Sequence, residues 1–191
     1  MPIPRARRLT LAATAAALAF TLSGCSADAD PTSSPRPTAS DDAAPIFASD
    51  EEAISAFQAS YGEFLEASVD VTNGGGADVD GLSEVASGQA LLDEQQAAEE
   101  LTAEGLRTKG SASFSIHSVQ EVDATADSIS ITAYVCDDIH ALDLIDDSGT
   151  SVVADDRVSD VPYTVVVAGA HPAELKVNEK VLWERENFCL A

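Results

Sequence analysis

Basic residues are scarce. The 191-residue chain has 10 Lys and Arg against 33 Asp and Glu, a formal net charge of −23. A surface of that sign repels nucleic acid and anionic lipid headgroups, which excludes a DNA-, RNA- or headgroup-binding role. The acids are scattered over the chain instead of massed in one run, so solubility is a sufficient reason for them. Also missing are the G-x-S-x-G, H-E-x-x-H, P-loop and dinucleotide spacings that would announce a nucleophile, a metal or a phosphate cradle. No cofactor is expected. One acidic stretch, Asn73 to Glu84, resembles a calcium loop. Aligning Gly81 with the glycine of an EF-hand puts Gly76 at the first ligand position and Ser87 at the twelfth, where a bidentate Glu belongs. Asp78, Asp80 and Glu84 remain as metal-ligand candidates, set against a plain turn capped by Asp80 or Ser83 before a short helix.

Long apolar runs are equally rare. The one near the start, "LTLAATAAALAFTLSG", follows Arg5, Arg7 and Arg8 and is broken by Thr and Ser, whereas a spanning helix wants about 20 predominantly apolar residues. A basic flank, a short apolar stretch and small residues at its end form the pattern of a signal peptide over residues 1–24. Leu22-Ser23-Gly24-Cys25 resembles the bacterial lipobox. That resemblance implies cleavage before Cys25, a thioether-linked diacylglycerol on its thiol and a fatty acyl group on its new amino terminus. Several chains on one residue anchor a protein firmly where a single chain binds only marginally. The expected location is therefore the extracytoplasmic face of the cell membrane, with the membrane itself as a partner through lipidated Cys25.

Cysteine is confined to three positions. With Cys25 lipidated, Cys136 and Cys189 are an even pair in an oxidising compartment, where a disulfide is the default. The alternative, two thiols on a metal, lacks neighbouring His or Cys ligands. Residues 25–45 form the tether: "SADADPTSSPRPTASDDAAP" contains no large apolar residue and cannot bury enough surface to offset the entropy of ordering.

Residues 46–191 have the length of one domain. Ser49-Asp50-Glu51-Glu52 is a capping box, with Glu52 placed to reach back to the Ser49 amide. Ile54, Phe57, Tyr61, Phe64 and Leu65 then recur at helical spacing. Three consecutive glycines end that helix. A short helical piece follows around Leu82 and Val85, and a longer helix turns Leu91, Ala98 and Leu101 inward before Gly105 stops it. After Gly110 the period becomes 2. Ala112, Phe114 and Ile116 alternate with Ser113, Ser115 and His117, and Val119 and Val122 break that register, which predicts a bulge near Ser118. Ile129, Ile131, Ala133 and Val135 share a strand face opposite Tyr134 and Cys136. "IHALDLI" is expected to be a third strand ending at the Asp146–Gly149 turn, with "VPYTVVVAG" and "AELKVNEKVLWE" as two more. Helices first and strands afterwards predict an α+β fold, the helices packed on one face of a curved antiparallel sheet.

The ordered set "YGEF", "ASGQAL", "YVCDD", "IDDSG", "VPYTVVV" and a terminal Cys is similar to small actinobacterial lipoproteins of the nuclear transport factor 2-like, cone-shaped type. Such relatives often carry Trp-x-Val in the last strand, where this chain has Leu175-Lys176-Val177. The resemblance implies a cone between sheet and helices and half-cystines matching Cys136 and Cys189. Its first functional implication is a non-enzymatic binding module for a small apolar ligand or an envelope protein. The alternative is an enzyme of isomerase or dehydratase type working inside the cone, with His117 or Asp137 as base; Tyr134, Asp138 and His140 lie nearby in sequence. A base needs an orienting partner, and a surface histidine or a solvated strand end accounts for these residues as well. His171, in "GAHPAE", is expected in an exposed loop, and Trp183 as packing at the sheet.

Overall fold

The computed structural model describes residues 45–190. The expected signal peptide, Cys25 and all of the expected tether but its last residue lie outside the described residues. Helix α1 (Asp50–Asn73) opens at Ser49, whose hydroxyl accepts from the Glu52 amide at 3.3 Å. Glu52 answers one residue earlier than expected, its carboxylate accepting from the Ala48 amide at 2.6 Å. Three acidic residues in this first turn meet the positive end of the helix dipole. Ser49→Ala should therefore cost about 1 kcal/mol, read as a lower urea midpoint with an unchanged slope; no shift would mean that Glu52 alone holds the cap.

Phe57, Tyr61, Phe64 and Leu65 are buried along α1, as their spacing predicts, with Ala53 and Ser60 beside them. The chain leaves α1 through Gly74 to Gly76. At Gly76 φ is +77°, and a Cβ there would lie 2.1 Å from the Ala98 carbonyl oxygen, so only glycine lets this turn pass so close to the next long helix. The one-turn helix α2 (Leu82–Val85) buries Leu82. Helix α3 (Gly88–Glu104) buries Ala90 and Ala98 and stops at Gly105, whose φ of +66° forms a left-handed cap.

Four strands form one antiparallel sheet in the order β2 (Ser113–Thr125), β3 (Ser128–Asp138), β5 (Asp160–Gly169), β6 (Lys176–Leu182). The helices cover one face of it. The core runs from Phe57, Tyr61 and Phe64 of α1 onto Ile131, Ala133 and Val135 of β3 and Val165 and Val167 of β5. The α+β fold of helices against an antiparallel sheet is thus present. The expected irregularity in β2 is there, between Ile116 and Ser118, and a second follows between Val119 and Glu121.

One strand is misplaced by the sequence reading. "IHALDLI" contributes β4 (Leu142–Ile145), which does not enter the main sheet; it pairs with β1 (Arg107–Gly110) in a separate two-stranded ladder. The reason is local. His140, Ala141 and Leu142 leave β3 in a tight turn in which the Leu142 amide donates to the Ile139 carbonyl, and Arg157 donates to the Ile139 and Leu142 carbonyls. That turn diverts the chain away from the sheet edge. The Asp146–Gly149 turn is as expected, closed by Gly149 N–H to Asp146 O at 2.9 Å and by three hydrogen bonds onto the Asp146 carboxylate.

Cys136 and Cys189 form the expected disulfide, with Cα atoms 5.6 Å apart. It fixes the last segment, Trp183 to Leu190, onto the sheet face turned away from the helices. Along that strap the Trp183 amide donates to Pro162 O, and the Asn187 side-chain amide donates to Asp160 O, each at 2.9 Å.

Candidate functional site

Strand alternation continues past Val135 and carries Asp137 to the buried face, where it is 2% exposed. A buried carboxylate needs partners. Tyr61 on α1 donates its hydroxyl to both carboxylate oxygens, at 2.8 and 3.0 Å. Lys180 on β6 places Nζ 2.8 Å from Asp137 Oδ2. Lys180 sits level with Val165 and Ala133, so its chain reaches diagonally across β5 to get there. On the way the ammonium lies 4.3 Å from the centre of the Tyr163 ring and 5.6–5.7 Å from those of Phe64 and Tyr61. Such cation–π contacts strengthen once water is excluded.

Electrostatics in this cluster favour one protonation state. Burial raises the Tyr61 hydroxyl well above its ordinary pKa, and the Asp137 charge and hydrogen bond raise it further against the opposing Lys180 charge. Burial alone would lower Lys180, but the neighbouring Tyr61, Asp137 and Tyr163 together with the Asp137 hydrogen bond outweigh it and raise the ammonium above the usual lysine range. Tyr61 therefore stays a phenol that donates, and Lys180 stays charged. Among the described residues no buried side-chain nitrogen or oxygen lacks a hydrogen-bond partner. The cluster is complete in itself, and five surface clefts are lined by other residues.

His117, the other candidate base, is exposed on β2 beside the strap, with its ring 4.8 Å from that of Phe188. It is not one of Asp137's partners, Tyr61 and Lys180. Phe188 also stacks on Tyr134 at 5.5 Å, and Trp183 packs on Tyr134 at 4.9 Å with the Arg185 guanidinium over its ring. These aromatics fasten the strap to the sheet, and Trp183 is packing, as expected. His171 is exposed in its loop.

Asp78, Asp80 and Glu84 are not gathered around a common point; the Asp78 carboxylate accepts from the Asp80 amide at 3.3 Å, which makes a turn. Among the described residues, the set that brings three donor atoms within 4.8 Å of one another is Asp138, His140 and Asp160. Each nitrogen of His140 faces a carboxylate, Nδ1 at 2.8 Å from Asp138 and Nε2 at 3.9 Å from Asp160. The bonds that Asp138 accepts from the His140 amide and ring hold its carboxyl below the usual range. Asp138 and His140 are exposed and Asp160 is half-buried.

A second kind of site lies along the flank of α1. Between α1 and the chain from Gly110 to Phe114 is an open cleft of 510 Å³, a volume within the range of small-molecule sites. Leu65, Val69, Ala112 and Phe114 provide its apolar lining, and Glu66, Asp70 and Asn73 its polar one. Phe114 meets Tyr61 edge to face at 4.8 Å, so this wall backs directly onto the buried cluster.

No protein-family model matches the chain, and no curated protein matches it. Among solved structures, the crystal structure of the intermembrane space region of chloroplast protein ARC6 is similar over 66% of this chain and 95% of that one, at 18% identity and a TM-score of 0.46. A likeness of that size says nothing about what this chain does. Among the described residues, no helix is long and apolar enough to cross a membrane.

Proposed function

We propose that this chain is an actinobacterial lipoprotein, anchored through lipidated Cys25 at the extracytoplasmic face of the cell membrane. Its domain, read as a nuclear transport factor 2-like cone, serves as a non-enzymatic binding module for a small apolar ligand or an envelope protein. The observation that carries the non-enzymatic reading is the sealed Tyr61–Asp137–Lys180 cluster. In a catalytic cone the acid would face a cavity with a free lone pair; here both carboxylate oxygens are engaged and Asp137 is 2% exposed. The Cys136–Cys189 disulfide supports an oxidising compartment. Helices packed on one face of a four-stranded antiparallel sheet are what a cone of that type requires.

Metabolic labelling with an alkyne fatty acid tests the anchor. The native chain should take up label and sediment with membranes, and Cys25→Ser should do neither. Label retained by Cys25→Ser, or a native chain that stays unlabelled, would overturn the lipoprotein reading.

A further inference from the structure

We infer that the cleft between α1 and the start of β2 is the ligand site of this module and that it takes a small amphiphilic cation, an inference that rests on the binding-module reading. Position along α1 sets the character of the cleft. Leu65 and Val69 are one turn apart and share a stripe with Phe114 and Ala112 opposite, which gives a continuous apolar lining. Glu66 and Asp70, also one turn apart, stand beside that stripe and are exposed. Among the described residues, the ion pairs involve Asp137, Asp138 and Asp160, and neither Glu66 nor Asp70 has a cationic side chain in reach. The two cations just before the Gly110–Phe114 wall, Arg107 and Lys109, are turned away. Thr108 points at α1, bonding Thr72 and Asn73 at 2.8 Å, so strand alternation puts Arg107 and Lys109 on the opposite side of β1.

Charge complementarity therefore calls for a positive group at Glu66 and Asp70, with an apolar body laid against Leu65, Val69 and Ala112. The Phe114 ring lines the same cleft, and aromatic rings attract cations. Because Phe114 is braced by Tyr61, this wall is set before any ligand arrives. An anionic amphiphile of the same length meets two carboxylates and should be rejected.

The test uses the full chain carrying Cys25→Ser, so that no lipid is attached, with its disulfide intact and at physiological salt. Octyltrimethylammonium, octyl glucoside and octyl sulfate, all below their micelle concentrations, are titrated by calorimetry. The cation should bind one-to-one and octyl sulfate about tenfold or more weakly, the factor that a difference of about 1.4 kcal/mol produces. Glu66→Gln with Asp70→Asn should bring the cation down to the level of octyl glucoside. Val69→Trp, filling the cleft, should abolish binding, and Ala112→Trp, filling it from the opposite wall, guards against a folding defect in the first. If the neutral and cationic probes bind equally and both filling variants block them, the module stands and the cationic class is wrong. Cation binding that survives both filling variants would be general attraction to an acidic surface, and binding of no probe would remove the site altogether; either result overturns the inference.

Discussion

Lys180→Met should destabilise the domain by about 3–5 kcal/mol, because it leaves the Asp137 carboxylate buried without its counter-charge. Asp137→Leu should cost a similar amount, this time stranding the ammonium among three aromatic rings. The informative variant is the combination of Asp137→Leu, Lys180→Met and Tyr61→Phe. Removing all the polar atoms together removes the need to satisfy them, so much of the lost stability should return despite three substitutions. Urea unfolding of the singles and the triple reads this directly. Singles that lose less than about 1 kcal/mol, the scale of an exposed pair, would mean that water reaches the cluster. The pH dependence has a definite sign. Tyr61, Tyr163 and Lys180 all have raised pKa values in the folded state, so above about pH 10 the unfolded chain releases protons that the folded chain keeps. Their contribution is fully present below that pH and is lost as pH rises through the folded values. Lys180→Met should leave the tyrosines' part of this decline in place, because Tyr61 and Tyr163 then lose the ammonium that opposes their rise.

Breaking the disulfide should cost about as much by a different route. Cys136 and Cys189 are 53 residues apart, and closing a loop of that length restricts the unfolded chain by about 4 kcal/mol in the loop-entropy treatment. The double variant Cys136→Ser, Cys189→Ser should lower the urea midpoint accordingly, as should reductant acting on the native chain. A local effect comes before the global one. The strap from Trp183 to Leu190 is otherwise held by two hydrogen bonds, the Phe188–Tyr134–Trp183 stack and the His117–Phe188 contact, so Trp183 fluorescence should change at lower urea than the far-ultraviolet signal once the bond is open. Coincident transitions with an unchanged midpoint would show the disulfide to be dispensable.

Much of this architecture is written in local pattern. The α1 stripe, the Gly105 stop, the bulge after Ile116 and the inward face of β3 all follow from spacing. The alternation that gives Ile129, Ile131, Ala133 and Val135 also reaches Asp137, so its burial was available as a signal and only its partners were not. Lys180 is different in kind. Between β5 and β6 the register shifts, so that Val166 faces Glu179 while Val167 faces Val177 and Asn178 is the extra residue. Strict alternation from Val177 would have turned Lys180 outward; the bulge turns it inward. The β1–β4 ladder was invisible because "RTKG" has no apolar alternation and its partner lies more than 30 residues away. The 510 Å³ cleft joins a helix to a loop distant in sequence, a juxtaposition that periodicity does not encode.

The Cys136–Cys189 bond also decides how the domain would carry mechanical load. Force applied between the start of α1 and Leu190 passes from β3 through the sulfurs and bypasses everything between them. Those 53 residues include β4, β5 and β6, about 180 Å of contour at roughly 3.5 Å per residue. Two of the four strands of the main sheet are thereby withheld from stretching, and the domain can lengthen under tension only by giving up its helices, β1, β2 and β3.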